Sequence, residues 1–223
     1  MGAEAWSGRL AAGVMALTLA ACQTAGPVQR SADYSGTLPA PSSVSLHKVA
    51  DSADYVHQPT GLVLSAAAGR LKRIDVIETD AARDDVGANY RLEGRDDLDF
   101  TALILPIWNV AQGPLALADV PQACRSAYRD AKTAAQMRLH NPRQISETPL
   151  DPGRFGDAAF SQSVLFDADG GDMLADFPIR SELHVHCGVQ KVWVVQYRMS
   201  YAPNVPNAAA LIEDFMAAVP LQP

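Results

Sequence analysis

Residues 180–201 constrain the fold more than any other part of the chain. The runs 180–187 and 191–201 are β-prone, the second rich in Val, Trp and Tyr, and Gly188 lies between them. Two such runs around a short glycine-containing break read as a hairpin. A hairpin makes its strands antiparallel neighbours, and the sheet they belong to must bury at least one face. Further runs precede it. Residues 61–65 are apolar, 71–79 carry Ile74, Val76 and Ile77, and 86–92 alternate around Val86, Ala88, Tyr90 and Leu92. Residues 100–107 are apolar on both faces, as expected of a central strand covered on both sides. Residues 159–166 alternate again, with Phe160, Val164 and Phe166 opposed by Ser161 and Ser163.

One amphipathic helix interrupts the strands. Val120, Cys124, Ala127, Tyr128, Ala131 and Ala135 recur at three- and four-residue steps and form one apolar stripe. Asp119 and Gln122 have the spacing of a capping box, and Asn141-Pro142 stops the helix. A second helix follows Asn207, with Leu211, Ile212, Phe215 and Val219 as its apolar face. The order is four strands, helix, three strands, helix. It predicts an α+β domain: an antiparallel sheet of about six or seven strands with two main helices packed on it.

The N-terminus carries a different message. An apolar run from Leu10 to Ala21 follows Arg9 and ends in Leu19, Ala20, Ala21 and Cys22. At roughly 20 residues for a membrane span, the run is too short to cross a bilayer. Its shape resembles a bacterial lipoprotein signal with its lipobox. That resemblance implies cleavage before Cys22, a diacylglyceryl group on the Cys22 thiol, and attachment to a membrane. Gln23 after the cysteine leans toward the outer membrane, facing the periplasm. Residues 22–48 are rich in Ser, Pro, Ala, Gly and Thr and lack apolar periodicity, so they read as a flexible tether. The expected organisation is signal peptide 1–21, tether 22–48 and a single domain 49–223. Removing the signal takes Glu4 and Arg9 together, leaving the net charge at −7. Such an acidic balance argues against nucleic acid as a partner.

Within the domain, the element order is similar to that of the Mog1/PsbP-like group. The residues that carry the likeness are the long strand from Val192 to Pro203, the terminal helix with Leu211, Ile212, Glu213, Asp214, Phe215 and Met216, and the small-residue approach Phe155, Gly156, Asp157, Ala158, Ala159 and Phe160. The group implies a binding or assembly-accessory domain, usually without catalysis. The cysteine pair is not a hallmark of it.

Cys124 and Cys187 remain once Cys22 is assigned to lipid. An oxidising compartment favours a disulfide between them over two separate buried thiols. Glu182, His184 and His186 alternate along one strand and share a face, a weak metal-ligand pattern that a solvated strand face reproduces equally well. His47, His57 and His140 are scattered and expected to be exposed. Asp167, Asp169 and Asp172 invite a calcium reading. Gly171 stands at the fifth place, Asp172 where glycine is needed and Pro178 at the final glutamate position, so an acidic loop is expected instead. Glu93, Asp96, Asp97 and Asp99 read as a solvated turn. Arg125, Arg129 and Lys132 line the helix opposite its apolar stripe, and with Trp108 they are the candidate partner-binding surface.

No catalytic constellation, nucleophile–base pair or cofactor motif is legible. The reading that follows is a membrane-anchored periplasmic lipoprotein with a non-enzymatic binding or assembly role toward an envelope partner. Two rivals stay open. One is a metal-dependent or hydrolytic enzyme using Glu182, His184 and His186, or the acidic loops. The other is a small-ligand carrier with an apolar pocket near Trp108 and Trp193, which a cavity of about 300 Å³ or more with convergent polar groups would favour. Oligomeric state is not encoded in any feature of the sequence.

Overall fold

Alternation of apolar and polar side chains builds the strands, and a computed structural model describes residues 45–47, 53–78, 85–107, 115–171 and 177–220. Cys22, the signal segment, nearly all of the tether, Trp108 and Asp172 lie outside the described residues. In chain order the strands are β1 Ser45–His47, β2 Tyr55–Val56, β3 Val63–Leu64, β4 Ala67–Ala68, β5 Leu71–Glu78, β6 Val86–Leu92 and β7 Leu98–Pro106. Helix α1 Val120–Met137 follows. Then come β8 Leu139–His140, β9 Arg143–Pro149, β10 Phe160–Ala168, β11 Gly170–Gly171, β12 Ile179–Val189, β13 Trp193–Tyr201 and helix α2 Ala208–Ala218.

Nine of these strands form one antiparallel sheet in the order β1-β5-β6-β7-β13-β12-β10-β9, with β4 also paired to β5. Two meanders therefore meet at β7 and β13, where Thr101 stands opposite Arg198 and Leu103 opposite Gln196. The architecture is the α+β sheet with two helices that the sequence predicts, with more strands than expected. β9 went unread because every one of its residues is exposed. An edge strand without a buried face has no alternation to detect. β1 pairs with β5 through Ser45, Leu46 and His47, so the sheet begins inside the segment assigned to the tether. Residues 61–65 contribute only the short β3, which pairs with β2 apart from the main sheet.

The helices pack on opposite faces. Phe215 of α2 anchors one core, with ring centroids 5.2 Å from Tyr90, 5.4 Å from Phe100 and 5.7 Å from Tyr197. Val120, Cys124, Tyr128, Ala131 and Ala135 of α1 form the other core, against Val164, Phe166, Leu183 and Val185. Neither helix is capped as expected: Asp119 and Asn207 occupy the N-cap positions without a side-chain hydrogen bond. The predicted hairpin is β12–β13, with His186 opposite Val195 and Glu182 opposite Met199. Its turn is made by Gln190 and Lys191, both at positive φ. Gly188 instead sits at a break in the register, at φ +84°, where a Cβ would come within 2.8 Å of Ala159.

α1 packs over β10 and β12, not over the middle of the sheet. This corrects the expectation for residues 100–107. On β7, Leu98, Phe100, Ala102 and Ile104 are buried toward α2, whereas Asp99, Thr101, Leu103 and Leu105 on the α1 face are only partly covered. A shelf of sheet beside α1 is left open.

Candidate binding groove

The disulfide fixes where the shelf lies. Cys124 on α1 and Cys187 on β12 are bonded, with Cα atoms 5.5 Å apart, as favoured from the sequence. The bond holds α1 above β12, and the helix flank facing β13 and β7 becomes one wall of a groove. That flank carries Ala123, Ser126, Ala127 and Ala134, whose small side chains leave space. Leu105, Pro106 and Ile107 of the β7 end and Val194 of β13 form the apolar opposite side. The cavity measures about 640 Å³.

Gln196 and Arg198 line this cavity from neighbouring inward positions on β13. Gln196 is only 4% exposed. Arg198 Nη2 donates to Gln196 Oε1 at 3.2 Å. The guanidinium has no carboxylate partner among the described residues, and its buried Nε has no hydrogen-bond acceptor. Burial, with the charge of Arg138 nearby, lowers Arg198 from the usual guanidinium range to about 10, so it is cationic at neutral pH. The oxygen of Gln196 faces the guanidinium, so its amide NH₂ lies on the other side of the group, and among the described residues no hydrogen bond engages that NH₂. Arg198 also borders a smaller cavity of about 50 Å³ with Asp99, Arg138 and Ser200.

The polar row leading to this point is otherwise satisfied. Asn89 donates to Asp75 at 2.8 Å and accepts from Thr101 at 2.8 Å. Arg198 is the next residue across the sheet from Thr101, yet its only hydrogen bond runs along its own strand. Asp99 corrects another expectation. It belongs to β7 and not to a solvated turn, and burial raises its carboxyl above the usual range against the pull of Arg91 and Arg138. Glu93 and Asp97 are engaged separately, with Lys72 and Arg95.

Glu182, His184 and His186 do share a face, the one opposite the groove, and they are not equivalent. His184 Nε2 lies 3.2 Å from Glu182 Oε2, and Tyr201 donates to Glu182 Oε1 at 2.6 Å. Burial opposes ionisation of Glu182, but the hydrogen bonds from His184 and Tyr201 outweigh it and hold the carboxyl below its usual range. His186 instead packs between Phe155 and Tyr197, with Nδ1 3.1 Å from Ser161 Oγ. Burial drops its pKa to about 4, with His184 and Arg154 adding to the shift. Among the described residues, no group of three or more His, Cys, Asp or Glu side chains is gathered to hold a metal. Ser161 and His186 are a hydroxyl–imidazole contact that the sequence did not disclose, because only the β10–β12 register places them opposite each other.

The remaining candidates are dispersed. Asp167 pairs with Arg180 and Asp169 with Arg143, while Gly170 and Gly171 pair with β8. Arg125 and Arg129 are exposed on α1, but Lys132 is drawn to Glu147, which also accepts from Tyr128. The three cations therefore do not form one free stripe. His140 is exposed as expected, whereas His57 is fully buried, with Nδ1 2.8 Å from Thr60 Oγ1 and its ring edge-on to Trp193. That packing places Trp193 in the core on the α2 side, away from the groove.

No family model matches the sequence, and no curated protein sequence matches it. Among solved structures, the Saccharomyces cerevisiae Ran-binding protein Mog1p aligns over 77% of this chain and 85% of its own, at 10% identity and a TM-score of 0.31. A single-substitution variant of Mog1 aligns over 77% and 84%, at 10% identity and a TM-score of 0.29. Likenesses this distant leave the role of the groove to be argued from its own chemistry.

Proposed function

We propose that the chain is a lipid-tethered, non-enzymatic binding protein of the bacterial envelope, anchored through Cys22 on the periplasmic side of the outer membrane. Its binding site is the groove between α1 and the sheet. The observation that carries this reading is a cavity of about 640 Å³ in which apolar walls meet two polar side chains with unused donors, Gln196 and Arg198. Small-molecule sites typically span about 300–1,000 Å³ and combine apolar lining with a few placed polar groups. The Cys124–Cys187 bond supports an oxidising compartment. The Mog1/PsbP-like kinship belongs to the proposal on element order alone. In this reading the exposed Arg125 and Arg129 serve as the surface for an acidic envelope partner.

The test fills the groove. N-phenyl-1-naphthylamine, an uncharged dye that brightens in apolar surroundings, reports occupancy of the cavity. Wild-type protein brightens the dye, and Ala127→Trp, with unchanged circular dichroism, does not. Equal brightening by the two proteins overturns the reading.

One observation favours a second reading. The Ser161–His186 contact at 3.1 Å has the reach of a nucleophile and its base. A base with a pKa near 4 is a weak proton acceptor at neutral pH, which is why this reading ranks second. A fluorophosphonate that labels wild type but not Ser161→Ala would promote it.

A further inference from the structure

The inward donors on β13 specify what the groove takes, an inference that rests on the binding role proposed above. Arg198 presents up to five N–H donors and makes one hydrogen bond, to Gln196. Its Nε is buried without an acceptor. A half-buried cation with a buried donor that meets no acceptor is ordinarily paired with an anion. Among the described residues no acid forms an ion pair or hydrogen bond with Arg198: Asp75 is hydrogen-bonded to Asn89, and Asp99, which borders the same small cavity, keeps a buried Oδ1 without a partner. Gln196, 4% exposed, lines the same cavity, with its Oε1 engaged by Arg198. Two adjacent donor-bearing side chains, one cationic, thus line one groove, and neither is hydrogen-bonded to a carboxylate among the described residues.

We propose that Arg198 and Gln196 hold the carboxylate of a monoanionic organic acid whose apolar body lies along the groove. The planar guanidinium matches a carboxylate in a two-point fork, and the Gln196 amide supplies a further donor to the same oxygens. Charge selects among oxyanions. The groove offers one half-buried cation, while its lining also carries the half-buried acid Asp85 and the exposed acids Asp119 and Asp130. A doubly charged phosphate monoester would leave one negative charge uncompensated beside those acids; a carboxylate balances Arg198 alone. The walls of Leu105, Ile107, Val194 and Ala127 suit an unbranched alkyl or similar apolar body.

Binding of dodecanoate, dodecanol and dodecyl phosphate to the full-length Cys22→Ser chain is measured by calorimetry at pH 7, below micellar concentrations. Dodecanoate is expected to bind at least about tenfold more tightly than dodecanol, the scale of a charge-assisted hydrogen bond. Arg198→Met should remove that preference, so that dodecanoate binds no more tightly than dodecanol. Arg198→Met should also melt at the same temperature as wild type or higher without ligand, because it removes a half-buried charge that has no carboxylate partner among the described residues. Equal binding of dodecanoate and dodecanol overturns the carboxylate assignment and leaves the groove as an apolar site. Tighter binding of dodecyl phosphate than of dodecanoate overturns the choice of a monoanion. Failure of all three to bind overturns both this assignment and the binding role of the groove. A lower melting temperature in Arg198→Met makes Arg198 a structural residue and also overturns the assignment.

Discussion

His186 sits where its own protonation is penalised. Phe155 and Tyr197 flank the ring, Ser161 touches Nδ1, and His184 and Arg154 add positive charge nearby. The native imidazole protonates near pH 4, against about 6.5 in an unfolded chain. Between those values the unfolded chain binds more protons, so acid favours unfolding. The stability tied to neutral His186 is fully present above pH 6.5 and is lost as pH falls toward 4, a difference of roughly 3 kcal/mol. Urea unfolding of wild type and His186→Gln from pH 7 to 4.5 measures it. Wild type is expected to lose more stability across that range than the variant. Parallel profiles would mean that the imidazole is solvated and the burial argument wrong. In the sequence His184 and His186 are indistinguishable, since alternation assigns them one face and says nothing of depth. Their difference comes from Phe155, whose loop tertiary packing brings against His186, and from Glu182, which hydrogen-bonds His184 along the same strand.

At the scale of elements, α1 decides what is exposed. Its apolar stripe was legible because helical periodicity is local, and five of the six stripe residues are buried: Val120, Cys124, Tyr128, Ala131 and Ala135. Ala127, the sixth, lines the groove. No local pattern states which strands the helix covers. That choice follows from the disulfide and from sheet order, and both depend on contacts distant in sequence. Gln196 and Arg198 were missed as site residues for this reason: a polar residue on a predicted strand is ordinarily assigned to solvent. The bond between Cys124 and Cys187 spans 63 residues. In the chain-entropy picture, closing a loop of that size stabilises the fold by roughly 4 kcal/mol. Guanidinium unfolding of a Cys124→Ala/Cys187→Ala variant should show a loss of that order. It should also show weaker binding of the naphthylamine dye, because α1 is no longer held above β12. A variant with full stability and full dye binding would show that helix packing alone positions the groove wall.

At the scale of the whole molecule, the proposed lipid anchor would give the groove its setting. A periplasmic binding domain released into solution would dilute and diffuse. A diacylglyceryl group on Cys22 would keep it at one membrane, and a flexible tether of the predicted length would let it range over ~25–30 Å. Within that shell the effective concentration toward membrane-derived acids or envelope proteins is high, so even a weak site is occupied. The apolar run from Leu10, the small residues Ala20 and Ala21, and Cys22 carry this expectation. Full-length protein and a Cys22→Ser variant, produced in a bacterium with lipoprotein processing, can be fractionated and their N-termini weighed by mass spectrometry. Wild type is expected in the membrane fraction with a lipid-modified Cys22 as its first residue. Cys22→Ser is expected to lose the modification while its folded domain still binds the dye. Soluble wild-type protein with an unmodified Cys22 would remove the anchor from the proposal. The groove would stand unchanged, because its walls and donors all lie on β7, α1 and β13 and their adjoining loops, far along the chain from residue 22.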